Sequence, residues 1–323
     1  SFVSVKEKNT LIACDPWIGY GLENGWLSFP IYKNGSQLLD KIKPNYIYIS
    51  HLHCDHLDKI NLNKIKKKNI KIIIKNFKNK RLKSKISELG FKNIIECEEW
   101  KKYKLNKDLS VAIVPQISTN SSNEDDAVNY DLDTSIVMQS NSTKKVFYNN
   151  VDNPLSFTDL VKVKKFIKKE FKRNIDICCL PAGAAGEYPH CFMNINRAKE
   201  KDTVINSHLK KLVKQIRILK VKNFFHAGGI YTIYGKFHSL NSLIAVPTEN
   251  QINDILKNLK INYFNILGGN SLIFKNNEWK KIISKNFDLS TKRSIIKKSS
   301  KVKYFYEKNI VKFNEKKLDL QFL

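Results

Sequence analysis

Three histidines and one aspartate lie within six residues of this chain, as His51, His53, Asp55 and His56. They directly follow the apolar run 46–49, which predicts a buried strand that ends at the cluster. Neutral imidazoles and carboxylates are side chains that bind zinc, iron or manganese. Because the whole chain has only seven histidines, three of them in one hexapeptide indicate a metal site more strongly than a chance surface group.

The spacing of this motif fits two neighbouring ions. His51 and His53 can point at one ion from one side of an extended turn, and Asp55 and His56 can reach a second as the chain curls. Two ions about 3.5–4 Å apart can hold a hydroxide and clamp an ester or phosphate oxygen. Where Asp55 does not bind a metal, it could orient the water or accept its proton. We expect one or two divalent ions, with zinc favoured over iron or manganese.

Two further metal ligands are expected at predicted strand ends. Asp152 follows the apolar run 146–148, although an aspartate before Asn153-Pro154 could simply cap a turn. His226 ends another apolar run, and the glycines after it leave room for an ion or a substrate. The alternative for His226 is a buried histidine that is satisfied by the backbone.

A loop of small residues follows the predicted strand 176–180 and is a candidate substrate-binding segment. Gly183 and Gly186 would let backbone N–H groups approach an anion closely. His190 could then act as a general acid or as a hydrogen-bond donor to the substrate. The alternative is a tight structural loop with an exposed histidine. His238 is a further candidate to line the substrate pocket.

Together these motifs resemble a known superfamily of metalloproteins. His-x-His-x-Asp-His after a strand is the signature of the metallo-β-lactamase superfamily. The segments Asp15-Pro16-Trp17, Asp133-Thr134 and 182–186 are also similar to the metallo-β-lactamase-like domain of CMP-N-acetylneuraminate hydroxylases. The resemblance spans roughly residues 10–245, and it implies metal-dependent chemistry on a sugar-nucleotide, phosphodiester or phospholipid-like substrate.

One departure from that family affects the first metal position. No histidine follows the hexapeptide until His190, so the family's ligand histidine is missing from the acidic loop 120–133. Either an oxygen ligand such as Asn129 or Asp131 stands in, or the first ion is weak or absent. Asp133 could bind a metal or orient a ligand histidine. Oxygen ligands would favour iron or manganese over zinc.

A second departure concerns the Rieske iron–sulfur domain by which those hydroxylases receive electrons. A Rieske centre needs Cys-x-His and a later Cys-x-x-His. The only Cys-x-His here lies inside the metal motif, and the sequence contains no Cys-x-x-His. An oxygenase reaction would therefore need a separate electron donor.

The elements expected to position these residues alternate between strands and helices. The pattern predicts a hairpin over 2–14, further strands near 46–49, 70–74, 93–96, 109–114, 134–139, 144–149, 176–180 and 223–225, and helices near 36–42, 80–89, 158–171 and 203–219. Two β-rich halves with helices outside give an α/β (α+β) fold, the αββα sandwich. We expect a metallo-β-lactamase-like domain over 1–275 and a basic, lysine-rich C-terminal appendage over 276–323.

The net charge of +27, from 57 basic and 30 acidic residues, raises the question of whether the protein binds nucleic acid. Almost all basic residues are lysines, whose codons are A/T-rich like those of the abundant asparagine and isoleucine, so genome composition explains the excess. Nucleic-acid interfaces favour arginine, of which there are only five, and no binding module is recognised. We expect no nucleic-acid partner, but attraction of anionic small molecules.

The cysteines and the hydropathy of the sequence bear on the cellular location of the protein. The six cysteines show no paired spacing, which favours a reducing cytoplasm. No apolar run reaches the roughly 18–20 residues of a membrane span. No secretory signal opens the chain, although it begins at Ser1, so an upstream piece could be missing.

Three functions are consistent with these observations. The first is a metal-dependent hydrolase, in which a metal-activated water attacks an anionic substrate. The second is an iron-dependent hydroxylase that acts on a nucleotide-sugar or glycan precursor with an external electron donor. The third is a non-enzymatic protein that keeps the fold with a degraded site.

Overall fold

Side chains along the strand β5 (Tyr46–Tyr48) divide between two hydrophobic cores, and this division defines the layers of the fold. Tyr46 and Tyr48 pack into a core between two sheets, whereas Ile47 and Ile49 pack towards helices outside. Successive side chains of a strand point to opposite faces, so this strand is buried on both sides. The computed structural model describes residues 2–18, 25–28, 31–32, 38–66, 68–117, 133–183, 186–228, 231–266, 269–284, 287–288 and 300–304.

The first sheet is mixed, and its strand ends carry the metal motif. In spatial order its strands are β1 (Val3–Glu7), β2 (Thr10–Cys14), β5, β6 (Lys71–Lys75) and β7 (Ile94–Cys97). β1 and β2 form an antiparallel hairpin, and β2, β5, β6 and β7 are parallel. The carboxyl ends of β2 and β5 therefore meet at one edge.

The second sheet has seven strands and supplies the opposite wall. In spatial order they are β15 (Asn262–Tyr263), β13 (Asn223–His226), β12 (Ile177–Leu180), β11 (Val146–Asn149), β10 (Thr134–Ser140), β9 (Leu109–Pro115) and β8 (Tyr103–Lys104). The four from β15 to β11 are parallel, and the rest pair antiparallel.

Helices cover the outer face of each sheet. They are α1 (Leu38–Ile42), α2 (Lys59–Lys64) and α3 (Arg81–Glu88) on the first, and α4 (Phe157–Phe171), α5 (Arg197–Leu219) and α6 (Glu249–Leu256) on the second. α4 begins at a capping box formed by Ser156 and Asp159 and ends where Lys172 turns left-handed. Its apolar positions recur every three or four residues and face the sheet.

Three short strand pairs complete the described structure. They are β3 (Trp26–Ser28) with β14 (Tyr231–Ile233), β4 (Ile31–Tyr32) with β18 (Phe287–Asp288), and β16 (Ser271–Lys275) with β17 (Glu278–Ile282). The β16–β17 hairpin runs across residue 275, and Leu272 and Trp279 pack against the core between the sheets. Two 3₁₀ segments, Gly235–Leu243 and Lys257–Leu259, flank α6. The domain boundary expected at residue 275 stays a prediction.

The predicted alternation of strands and helices is confirmed over most of the described chain. α3 and α4 lie within a residue of their expected bounds. α5 begins six residues before the predicted start, because the Asn196 side chain caps it by accepting a hydrogen bond from the backbone N–H of Lys199. The hairpin 271–282 was not predicted.

The described residues hold no helix that is both long enough and apolar enough to cross a bilayer. All six cysteines are free thiols. The predicted cytoplasmic location is untested by these findings.

Gly235 packs directly against residues 300–304. It has a φ of 66°, and a Cβ built there would lie 2.8 Å from both Cζ of Tyr304 and the carbonyl oxygen of Val302. The Tyr304 hydroxyl also donates to the carbonyl oxygen of Tyr234.

We therefore expect Gly235→Ala to lower the free energy of unfolding by about 2–4 kcal/mol, from left-handed strain and overpacking together. Urea denaturation would measure it. Gly186→Ala is the matched control, because no atom lies within 4 Å of the added Cβ; its change should stay within about 0.5 kcal/mol. Equal stability of both variants would contradict the packing of 300–304 against Gly235.

Candidate metal centre

The hexapeptide forms a tight turn at the carboxyl end of β5. The backbone amides of His56 and Leu57 both donate to the carbonyl oxygen of His53, at 3.0 and 2.7 Å. The turn buries the His51 and His56 side chains, which are each 1% exposed, while His53 stays at the surface. The motif thus presents two buried and two accessible ligand side chains.

Asp15 anchors this turn from the neighbouring strand. Because β2 and β5 are parallel with Cys14 opposite Tyr48, the residues after both strands lie side by side. The Asp15 carboxylate accepts hydrogen bonds from the backbone N–H and from the hydroxyl of Ser50, each at 2.8 Å. Asp15 has a φ of 43°, a left-handed conformation that aspartate tolerates better than most residues.

His51, His53 and Asp133 form the first group of converging ligand atoms. Nε2 of His51 lies 2.8 Å from Nδ1 of His53 and 3.0 Å from Oδ1 of Asp133. The other ring nitrogen of His51 lies 2.8 Å from Oγ of Ser50, which fixes the ring. Two imidazoles and one carboxylate are a ligand set found in zinc and non-haem iron sites.

Asp55, His56 and Asp152 form the second group. Nε2 of His56 lies 2.9 Å from Oδ2 of Asp152 and 3.5 Å from Oδ2 of Asp55. Nδ1 of the same ring lies 3.0 Å from Oδ2 of Asp15. A carboxylate behind a histidine orients the ring and fixes its tautomer, as at many metal sites.

The two groups adjoin and join the two sheets. The His51 and His56 ring centroids are 4.1 Å apart. Each group takes its histidines from the turn after β5 and one carboxylate from the second sheet, since Asp133 directly precedes β10 and Asp152 follows β11. The groups therefore exist only when the sheets are packed together.

The electrostatics of both groups favour a cation. Burial and the neighbouring His56 lower the pKa of His51 to about 3, so its ring is neutral near pH 7. Burial opposes ionisation of Asp152, but its hydrogen bond to His56 and the nearby positive charges together outweigh burial and lower its pKa to about 2. Burial also disfavours a charge on His56, yet the Asp15 carboxylate raises the pKa of His56 well above its ordinary value. The site therefore stabilises positive charge although it is buried.

The ligand atoms present fit divalent ions. In the first group, two imidazole nitrogens and a carboxylate oxygen point at one another, and one proton could satisfy only one pair of them. A cation between them would satisfy all three. Both groups are therefore candidate metal sites.

A cavity of about 1450 Å³ opens over both groups. Beside the two groups its wall includes Pro181, Ala182, Gly183, Glu187, His226 and Tyr231. It also extends along β1 and the β16–β17 hairpin. His53 and Asp133 of the first group and Asp55 and Asp152 of the second line this cavity, so a substrate bound in that part of it would reach both groups.

Comparisons with known proteins support the fold. No protein-family model matches the chain. A segment is 32% identical over 106 residues to a Mycobacterium tuberculosis protein provisionally named a Rieske 2Fe-2S iron–sulfur protein, and it spans 32% of this chain but only 20% of that relative. Isothiocyanate hydrolase from Delia radicum gut bacteria superposes with a TM-score of 0.53 at 13% identity, over 88% of this chain and 96% of that chain. This chain has a metallo-β-lactamase fold.

A second solved structure superposes with a lower TM-score. A protein from Parabacteroides distasonis, provisionally named a metal-dependent hydrolase, has a TM-score of 0.45 and 16% identity, over 81% of this chain and 87% of that chain. The predicted αββα sandwich and the resemblance to metallo-β-lactamase-like proteins are confirmed at the level of the fold. The similarity to a Rieske protein is partial.

The metallo-β-lactamase fold brings together most of the predicted ligands. His51, His53, Asp55, His56 and Asp152 all belong to one of the two groups, and Asp133 joins them. Their roles as ligands stay predictions. Asn129 and Asp131 lie outside the residues that the structure describes.

His226 is a member of neither group in the described structure. It ends β13, and its Nδ1 atom lies 2.7 Å from the hydroxyl of Tyr263. It is 4% exposed and lines the cavity. Its role as a metal ligand stays a prediction.

The predicted substrate-binding residues divide between the cavity and its surroundings. Gly183 lines the cavity, and the carbonyl oxygen of Gly186 accepts from the Tyr231 hydroxyl at 3.2 Å. His190 is 2% exposed, so the alternative of an exposed histidine is excluded; no described residue hydrogen-bonds its Nδ1. His238 lies in the 3₁₀ segment Gly235–Leu243, and its Nδ1 atom is 3.0 Å from the carbonyl oxygen of Gly235.

Sequence reasoning missed Asp15 and Ser50 as parts of the site. Asp15 entered only as part of a family motif, and Ser50 as a flanking residue. The sequence signal for Asp15 is its position directly after an apolar strand, in a chain where the end of another strand carries candidate metal ligands. This signal points to the metal site only when the two strands are known to be parallel neighbours.

We expect Asp15→Asn to weaken zinc binding about 10–100-fold, because the amide cannot accept all three hydrogen bonds from Ser50 and His56. Competition with a chromogenic chelator would measure the affinity. Asp108→Asn is the matched control: Asp108 is also buried and accepts from the Thr10 hydroxyl at 2.9 Å, at the start of β2. Equal weakening in both variants would show that Asp15 acts only through general stability.

Proposed function

We propose that this protein is a metal-dependent hydrolase that acts on an anionic substrate. The observation that carries the proposal is the pair of adjoining His/Asp groups, His51–His53–Asp133 and Asp55–His56–Asp152, beneath one cavity. Two ions held there would lower the pKa of a bound water molecule towards neutrality and polarise a substrate oxygen. Zinc is the favoured metal, with iron or manganese as alternatives.

The side chains around the site have separable tasks in this proposal. The neutral ring of His51 and the ring of His53 can each offer a nitrogen atom to an ion, and Asp15 holds His56 with Nε2 towards the second group. Burial disfavours the Asp55 carboxylate, but its hydrogen bond with His56 lowers the pKa of Asp55 below the ordinary range. Asp55 is therefore ionised at neutral pH, which suits it to bind an ion or to orient a bound water molecule; the lowered pKa makes it a weak proton acceptor.

The overall charge of the protein supports an anionic substrate. The chain carries a net charge of +27, although the cavity wall itself holds both lysines and acidic residues. A positively charged protein raises the local concentration of anions, an effect that salt weakens. A phosphodiester, a sugar nucleotide or a phospholipid-like molecule fits this description. The isothiocyanate hydrolase supports the fold alone, because one fold hosts many reactions.

A second candidate is the iron-dependent hydroxylase with a separate electron donor. Two observations favour it: the His51–His53–Asp133 set, which suits ferrous iron, and the partial similarity to a Rieske protein. A non-enzymatic role is the third candidate, and it predicts that replacing His51 leaves every function intact.

Elemental analysis decides among these. The full chain, purified without chelator or added metal, is compared with His51→Ala/His53→Ala and with His208→Ala as a control for histidine loss. We expect about two zinc or manganese ions per chain in the parent and the control, and fewer in the double variant. Absence of metal from the parent, even after reconstitution, would contradict both enzymatic functions.

Activity assays form the second part of the test. With zinc or manganese bound, the parent should hydrolyse bis(p-nitrophenyl) phosphate, and the double variant should lose at least about 100-fold in kcat/KM. Iron in the parent, together with reductant-dependent oxygen consumption, would instead support the hydroxylase.

A further inference from the structure

A second cavity lies on the outer face of the second sheet. It has a volume of about 520 Å³, and we call it the basic pocket because its wall includes Lys102, Lys104, Lys107, Ser110, Asn141 and Lys144. Tyr103 and Val111 pack into the core between the sheets, so Lys104 and Ser110, which alternate with them along β8 and β9, face outwards. None of the six lining residues lines the cavity over the metal groups.

The basic pocket lies at the opposite end of the second sheet from the metal groups. Asp133 directly precedes β10, and Asn141 directly follows it. Each residue of a strand advances the chain by about 3.3 Å, so the backbones of these two residues are about 25 Å apart. A ligand small enough for the basic pocket therefore cannot also reach the metal groups.

Two strand connections form the frame of the basic pocket and hold each other in place. Lys107 lies in the connection from β8 to β9, and Lys144 lies in the connection from β10 to β11. The backbone N–H of Asn141 donates to the carbonyl oxygen of Asp108 at 2.7 Å, which joins the two connections. The buried Ser110 hydroxyl donates to Oδ1 of Asn141, also at 2.7 Å. The lysines therefore start from backbone positions that are fixed before any ligand arrives.

Lys102 is the most enclosed cation of the basic pocket. Its ammonium group donates to Oε1 of Gln139 at 2.7 Å and lies 4.7 Å from the centre of the Phe171 ring, at the end of α4. Burial lowers the pKa of Lys102, and the positive charge of Lys144 lowers it further, while the opposing effect of the Glu170 carboxylate is smaller. The two lysines therefore repel each other, and a negative charge between them would relieve the repulsion.

The charges of the basic pocket are not balanced by the protein. Among the described residues, no carboxylate forms an ion pair with Lys102, Lys104, Lys107 or Lys144. The neighbouring Lys145, in contrast, lies 2.7 Å from a carboxylate oxygen of Asp176. Lysine is abundant throughout the chain, but these four share one concave wall. The unbalanced charge and the shape together indicate a site for an anion.

We propose that the basic pocket binds a small anion that contains two or more linked phosphate groups. Ammonium groups bind phosphate oxygens as point charges, without the fixed geometry of a guanidinium, so several lysines can follow a flexible phosphate chain. Linked phosphates would place several negative charges among the four positive ones, whereas a single phosphate would leave part of the repulsion in place. Because the site is separate from the metal groups, this inference does not rest on the proposed hydrolase function.

The first test is calorimetric titration of the full chain with sodium tripolyphosphate at constant ionic strength. We expect one tripolyphosphate per chain, and binding about tenfold weaker or more in Lys104→Gln/Lys144→Gln, since each substitution removes a charge-assisted hydrogen bond. The matched control is Lys165→Gln/Lys168→Gln, which removes the same charge from exposed positions of α4 and should change the affinity less than about twofold. Absence of binding to the parent, or equal weakening in both double variants, would overturn the proposal.

Further titrations separate the basic pocket from the metal groups and define the ligand. Phosphate oxygens could also bind metal ions, so the titration is repeated on His51→Ala/His53→Ala, which should keep its affinity for tripolyphosphate. Loss of binding in that variant would overturn the proposal, as would equal affinity of the parent for orthophosphate. Pyrophosphate and adenosine diphosphate then distinguish the two sources of linked phosphates: tighter binding of the nucleotide supports a nucleotide ligand, and tighter binding of pyrophosphate supports the inorganic anion.

The second test measures thermal unfolding, because an anion that binds the folded chain stabilises it. Tripolyphosphate should raise the Tm of the parent more than sodium chloride of equal ionic strength does. Lys104→Gln/Lys144→Gln should abolish this rise and, because like charges are removed, should itself be at least as stable as the ligand-free parent. A double variant that is less stable than the parent and still stabilised by tripolyphosphate would overturn the proposal.

Discussion

A buried carboxylate, Asp15, accepts hydrogen bonds from the backbone and side chain of Ser50 and from the ring of His56. A charge in the interior is costly unless it is paired and hydrogen-bonded. Here the three donors satisfy the carboxylate, and the ring that donates to it becomes a stable site for positive charge. The same contacts fix both ends of the turn, so the positions of its four candidate metal-binding side chains depend on them.

The packing of the two sheets is the second requirement of the site. The first sheet supplies the turn, and the second supplies Asp133 and Asp152. Between them, the Tyr48 hydroxyl lies 2.6 Å from Oγ1 of Thr134, which in turn donates to the carbonyl oxygen of Ser50 at 2.8 Å. These bonds run from the interior of the sandwich to the turn itself. Precise placement of the carboxylates therefore follows from the register of buried strands.

The sequence was informative where the chemistry is local. His51, His53, Asp55 and His56 could be recognised because a strand and a turn place them together without help from distant residues. Asp152 could be inferred from its place after an apolar run. Asp15 could not, because its role depends on β2 and β5 being parallel neighbours across 35 residues of chain.

The same limit explains the other differences. Asp133 could be proposed only beside Asn129 and Asp131, since spacing does not say which acid of a loop meets His51. His226 was predicted as a ligand because strand-end histidines often bind metals; it belongs to neither group in the described structure, and its role stays a prediction. The hairpin 271–282 has a lysine-rich composition that hides the alternation of Leu272 and Trp279 towards the core.

Each candidate group has an interior half and a solvent half. His51 and His56 are enclosed and tied to Ser50 and Asp15, whereas His53 is exposed and the side chains of Asp55 and Asp152 are 27% and 42% accessible. Substitutions in the solvent half can therefore change the ligand set without disturbing the hydrophobic core. A scaffold built in this way allows evolution to alter metal preference one ligand at a time, while the enclosed histidines keep the location of the centre constant.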